Sequence, residues 1–117
     1  MKLKYFYEPV YKAPIFYIFN CSQEKAKKAF KKRFDSIHEY KWGKGHTFAV
    51  INEKKGYTAY GIWVEDTKII SNLVHEIVHL VDYIWEDRKI KPDIINDESF
   101  CYYIEYLFKT LKEGKSD

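Results

Sequence analysis

The apolar residues fall into short stretches whose spacing changes along the chain. Ile15 to Phe19, after Pro14, is an unbroken run rich in β-branched and aromatic residues and predicts a strand. Ser22 stands ahead of Gln23-Glu24-Lys25 as an N-cap, and a helix follows to about Phe34. Ala26, Ala29, Phe30 and Ile37 share one face of that segment, and Lys25, Lys28 and Lys32 line another. Trp42-Gly43-Lys44-Gly45 reads as a loop. His46 to Ile51 and Tyr57 to Val64 read as strands joined by a turn over Asn52 to Gly56, an antiparallel hairpin.

The period then becomes helical. Asp66 or Thr67 caps a helix that runs from about Lys68 to Glu86. At about 100° per residue, Ile70, Leu73, Ile77, Leu80, Val81 and Ile84 fall on one face. Asn72, His75, His79, Asp82 and Glu86 fall on the opposite one, and apolar Val74 and Leu80 flank the histidine segment as in a buried helix. Lys89-Ile90-Lys91-Pro92 interrupts the chain. A last helix begins between Asp93 and Asp97 and reaches about Leu111, with Phe100, Ile104, Leu107 and Leu111 inward and Glu98, Tyr102 and Glu105 on the other face. Gly114 and a polar tail end the structured part. The expected fold is one α+β domain over residues 1–117: a small antiparallel sheet, one helix before it and two after.

His75-Glu76-Ile77-Val78-His79 is H-E-x-x-H inside the long helix. Side chains at i and i+4 project from the same helix face, so two imidazoles can approach one Zn²⁺ at ~2.0–2.1 Å. Glu76 lies about 100° around the helix from His75 and flanks the ion without entering its first ligand sphere. Zinc lowers the pKa of a bound water toward ~7. A carboxylate so placed can take the water's proton and later deliver it to a leaving amine.

A catalytic zinc needs a third protein ligand. The H-x-x-G-x-x-H continuation is absent, because Asp82 stands in place of its Gly and Trp85 in place of its last His. Glu98 is the expected third ligand, carried back over the motif by the chain break at Pro92. Glu105, two turns later on the same face, is the alternative, followed by Asp82 and Asp97. Tyr102, one turn after Glu98, is a candidate donor to a developing oxyanion or a packing residue. His46 opens a strand and is either a cleft residue or a structural one, and His38 has no partner in the sequence.

HEIVH followed by NDESFCYYIEYL resembles the gluzincin arrangement of zinc metallopeptidases, in particular the very short zincin-like proteins encoded by phages and prophages. The resemblance covers roughly residues 45–107 and is specific at His75, Glu76, His79 and Glu98. It implies a minimal zincin core, Glu98 as third ligand, a phage or prophage origin and hydrolysis of a peptide or protein substrate by a Glu-activated, zinc-bound water. It also implies that an edge strand, Tyr57 to Val64 or His46 to Ile51, holds an extended substrate. Asn96-Asp97-Glu98-Ser99 departs from the full thermolysin-type signature, and Tyr102 stands where that signature has an Asp beside the ligand histidines. Asp82 or Glu105 is left to orient the imidazoles.

Composition adjusts this picture only slightly. The chain of 117 residues is 46% hydrophobic and 19% aromatic, enough for one core. The formal net charge of +3 allows an acidic partner without requiring one. The basic run from Lys25 to Arg33 carries no interleaved aromatics on its charged face, and Glu24, Asp35 and Glu39 flank it. It therefore reads as a solvated surface rather than a nucleic-acid site. No stretch approaches the ~18 apolar residues of a membrane span, and the first residues lack a signal peptide's pattern, so the cytoplasm is the expected compartment. Cys21 and Cys101 read as free thiols. The rivals to a zinc metallopeptidase are an inactive zincin-like binding module with a structural zinc and a basic nucleic-acid or partner-binding protein.

Overall fold

The computed structural model describes residues 2–34, 37, 40–52, 55–93 and 97–116. Strands β1 (Lys4–Glu8) and β2 (Ala13–Phe19) precede helix α1 (Gln23–Arg33). Strands β3 (Gly45–Asn52) and β4 (Tyr57–Val64) follow, then helices α2 (Ile70–Asp87) and α3 (Glu98–Lys112). The architecture is α+β. Spatial order in the four-stranded sheet is β1-β2-β4-β3.

β2 is buried along almost its whole length, and its residues alternate between two cores. Ile15 and Tyr17 join Tyr60, Ile62 and Val64 of β4 against α2 and α3. Phe16 and Ile18 join Ala59 and Trp63 of β4 against Ala26 and Phe30 of α1. A strand buried on both faces reads as a continuous apolar run, as β2 does. The hairpin of β3 and β4 forms as expected, with His46 opposite Trp63 and Val50 opposite Ala59.

The sheet is mixed, not antiparallel as expected. α1 lies between β2 and β3 and crosses one face of the sheet, so β4 arrives beside β2 in the same direction, Ile15 opposite Tyr60 and Phe19 opposite Val64. The helix is thus inside the strand sequence rather than ahead of it. β1 was not expected. Its inward positions are Phe6 and Glu8, and a buried carboxylate breaks the apolar alternation that marks a strand. The Glu8 carboxylate is satisfied by Val10 N at 2.5 Å, Tyr11 N at 2.9 Å and the Tyr103 hydroxyl at 2.8 Å. It fastens the β1–β2 turn to α3.

Ser22 caps α1 as read, its Oγ accepting from Lys25 N at 3.3 Å. Neither Asp66 nor Thr67 caps α2. Asp66 Oδ1 accepts from Lys68 N at 2.9 Å in a turn ahead of the helix, and Thr67 bonds Asn20 Oδ1. The helix begins two residues later than expected, and Ile70 is 41% exposed instead of inward. Val74 is exposed as well, so the helix is buried along one face only. α2 closes with Ile90 N bonding Trp85 O and Lys89 N bonding Glu86 O, and Lys89 takes φ 57°. That is the Schellman ending, here without a glycine. The C-terminal residues are part of the fold: the Tyr17 hydroxyl donates to Lys115 O and Ser116 Oγ to Tyr5 O. Among the described residues no helix is long and apolar enough to cross a membrane.

A Cβ on Gly61 would lie 2.3 Å from Phe48 Cζ. Gly61→Ala is expected to lose about 1–3 kcal/mol in urea unfolding, as overpacked cores do. Burial raises the Tyr17 hydroxyl from its ordinary 10.0 to about 12. Tyr60 is raised by burial and then by its bond to Asp87, and Tyr103 by burial and then by the Glu8 charge. The folded state keeps these protons while the unfolded chain releases them. The stabilisation is therefore complete below about pH 10 and declines as pH rises above it, the Tyr17 share being lost through about 12. Urea midpoints should be flat up to about pH 9 and fall above about 10, less steeply in Tyr17→Phe.

Candidate metal centre

α2 sorts the motif by face. Ile77, Leu80, Val81 and Ile84 are fully buried, whereas His75 and His79 are exposed. The Nε2 atoms of His75 and His79 lie 3.1 Å apart, and the ring planes meet at 82°. Two nitrogens at ~2.0–2.1 Å from a common centre and 3.1 Å from each other subtend about 100° there, close to tetrahedral. The pair therefore fits two ligands of a Zn²⁺ site.

Glu76 turns the other way, toward the sheet, and is 7% exposed. Thr47 of β3 holds it: Thr47 Oγ1 donates to Glu76 Oε1 at 2.8 Å and approaches the Glu76 main-chain oxygen at 3.1 Å. Gly45 lies against the same carboxylate, and a Cβ there would meet Glu76 Cγ at 2.8 Å and Oε2 at 3.0 Å. Only a residue without a side chain lets β3 approach this closely. Beside them is a cleft of about 430 Å³ lined by Lys44, Gly45, Ser71, Asn72, His75 and Glu76. Lys44 at its rim pairs with Glu65 at 3.0 Å.

Strand order decides between the two candidate edge strands. β4 lies between β2 and β3 and has no free edge, so β3 is the edge strand beside the motif. His46 does not face the histidine pair. It points to the opposite side of the sheet from Thr47 and stacks on Trp42, ring centroids 4.7 Å apart.

The expected third ligands stand apart from the histidines. Glu98 is the first residue of α3 and is exposed. Phe100, just after it, packs on Trp85 with centroids 5.1 Å apart. Trp85 is about 9 Å farther along α2 than His79, at ~1.5 Å per residue. Glu105 is exposed and pairs with Lys109 at 3.0 Å. Tyr102 is 65% exposed. Asp82, Glu86 and Asp97 are exposed too. Among the described residues no group of three or more His, Cys, Asp and Glu side chains is spaced to hold a metal ion. His38 and Asn96 lie outside the described residues. Cys21 and Cys101 are free, and burial raises the Cys21 thiol.

Thr47 and Gly45 are the site residues that sequence reasoning missed. The available signal was slight: Thr47 takes an inward position in β3 where an apolar residue would be ordinary, but its partner is distant in sequence. Comparison of the chain with protein-family models, with curated proteins and with solved structures returned no match.

Removing the hydroxyl tests the clamp. Thr47→Val leaves a nearly buried carboxylate without its side-chain donor and is expected to cost about 1–3 kcal/mol in urea unfolding, whereas Thr47→Ser keeps most of that stability.

Proposed function

We propose that this chain is a zincin-like, zinc-dependent metallopeptidase of the gluzincin type, with His75 and His79 as zinc ligands. The observation that carries this reading is the 3.1 Å approach of the two imidazole nitrogens, with Glu76 between them in sequence and clamped at the edge of a cleft.

Glu98 is the proposed third ligand and Glu105 the alternative. Glu98 makes no hydrogen bond or ion pair with another described residue, whereas Glu105 is engaged by Lys109, and that difference favours Glu98. Bound zinc would supply Lewis-acid polarisation and bring a water's pKa toward ~7. The remaining steps fall to the chain itself. Thr47 fixes one Glu76 oxygen, so the carboxylate keeps one orientation. Glu76 takes a proton from the attacking water and gives it to the leaving amine as the C–N bond breaks. β3 offers unpaired main-chain groups on its outer side to an extended peptide. Tyr102, exposed and one turn after Glu98, is the proposed donor to the oxyanion.

Metal content and hydrolysis of an unfolded protein test this together. Wild type should bind zinc and lose activity with a chelator. Glu76→Gln should keep its zinc and lose roughly 10²-fold or more in rate. His75→Ala should lose the metal. A Glu76→Gln variant that cuts as fast as wild type sinks the mechanism, and unchanged zinc in Glu98→Ala transfers the third-ligand role to Glu105.

A further inference from the structure

The face of the sheet opposite the histidines carries a basic trough that the proposed hydrolysis does not use. Two cavities, of about 950 and 610 Å³, lie along α1, β1 and β2 and share Tyr5, Phe16 and Arg33, the larger running on to the start of β4 and the end of α2. Lys2, Lys25, Lys28 and Lys32 line the smaller one. Lys12 and Arg88 line the larger, and Arg33 stands where the two meet. Among the described residues, Lys2, Lys12, Lys25, Lys28, Lys32 and Arg33 form no ion pair. Asp87 is the acid lining the larger cavity, and its carboxylate accepts the Tyr60 hydroxyl next to Arg88.

The floor of the trough is aromatic. Tyr5 packs on Phe16 with ring centroids 4.7 Å apart, and the Arg33 guanidinium lies 4.7 Å from the Phe16 centroid. Tyr7, 43% exposed, and Tyr57 continue that floor into the larger cavity. The helix alone carries no aromatics on its charged face. The sheet supplies them across space, so the basic run and the rings alternate in three dimensions although they do not in sequence.

Cations that track a backbone, set beside partly exposed rings, suit a chain whose phosphates and base faces are both accessible. A duplex hides its base faces, and an acidic peptide has none. We infer that the trough formed by α1, β1 and β2 binds single-stranded nucleic acid, with the Lys25, Lys28 and Lys32 face on the phosphates and Tyr5, Tyr7 and Tyr57 beneath the bases. Tyr5, Phe16 and the α1 lysines lie on the other side of the sheet from His75 and His79, so the inference stands or falls independently of the zinc.

Fluorescence anisotropy of a short labelled oligothymidylate, with chelator present, tests this inference. Saturable binding is expected at about 50 mM salt, with log K falling linearly against log salt. The Lys28→Ala/Lys32→Ala double variant should flatten that slope by about 1.4, at ~0.7 per cation. Tyr7→Leu, at a half-exposed position, should weaken binding roughly tenfold at fixed salt and leave the slope unchanged. Lys109→Ala, on α3 at the other face of the sheet, should bind as wild type does. Absence of saturable binding overturns the proposal. So does equal affinity for a duplex or for polyglutamate, or an unchanged slope in the double lysine variant with its circular dichroism intact.

Discussion

β2 and β4 lie side by side in the middle of the sheet, and each has to bury both of its faces. A strand in that position needs a helical layer on either side. The chain meets the requirement by sending α1 across one face between β2 and β3, then laying α2 and α3 on the other. The parallel pairing of β2 with β4 follows from that crossover. So does the displacement of β3 to the rim, because the hairpin can add only its second strand to β2. α2 then packs beside an edge strand, and the candidate site is the product of that adjacency.

The site depends on how α2 divides its residues between sheet and solvent. A fully apolar inward face would have seated the helix against β3 without any polar contact. Glu76 interrupts that face and is nearly buried, at 7% exposure. A carboxylate left there without a donor would be costly. Thr47 removes the penalty from one side, and Gly45 makes room on the other. The same contacts give Glu76 a fixed direction while the two imidazoles, one step around the helix, remain in solvent.

Local features were legible in the sequence and long-range ones were not. The histidine pair was legible because i and i+4 is a property of one helix, and the β3–β4 hairpin because its turn is short. The α1 cap at Ser22 was legible for the same reason. β1 escaped because the inward Glu8 looks like a surface residue until Tyr103 and the turn amides are brought to it. The cap of α2 was misread because Thr67 is drawn away by Asn20, far off in sequence. The basic helix read as a solvated surface because its aromatic neighbours come from β1 and β2. The position of Glu98 depends on where Phe100 docks, and that docking is tertiary.

The C-terminal residues have a consequence for how copies of the molecule can meet. A sheet with two open edges can be lengthened indefinitely, each new molecule presenting a fresh edge to the next. Here the Ser116 hydroxyl donates to the Tyr5 carbonyl of β1, and Lys4 reaches the Gly114 carbonyl at 3.3 Å, so side chains tie the tail to β1. β3 forms the other rim. A strand arriving at β1 meets these contacts first, so the two rims of the sheet differ in what they offer a neighbour.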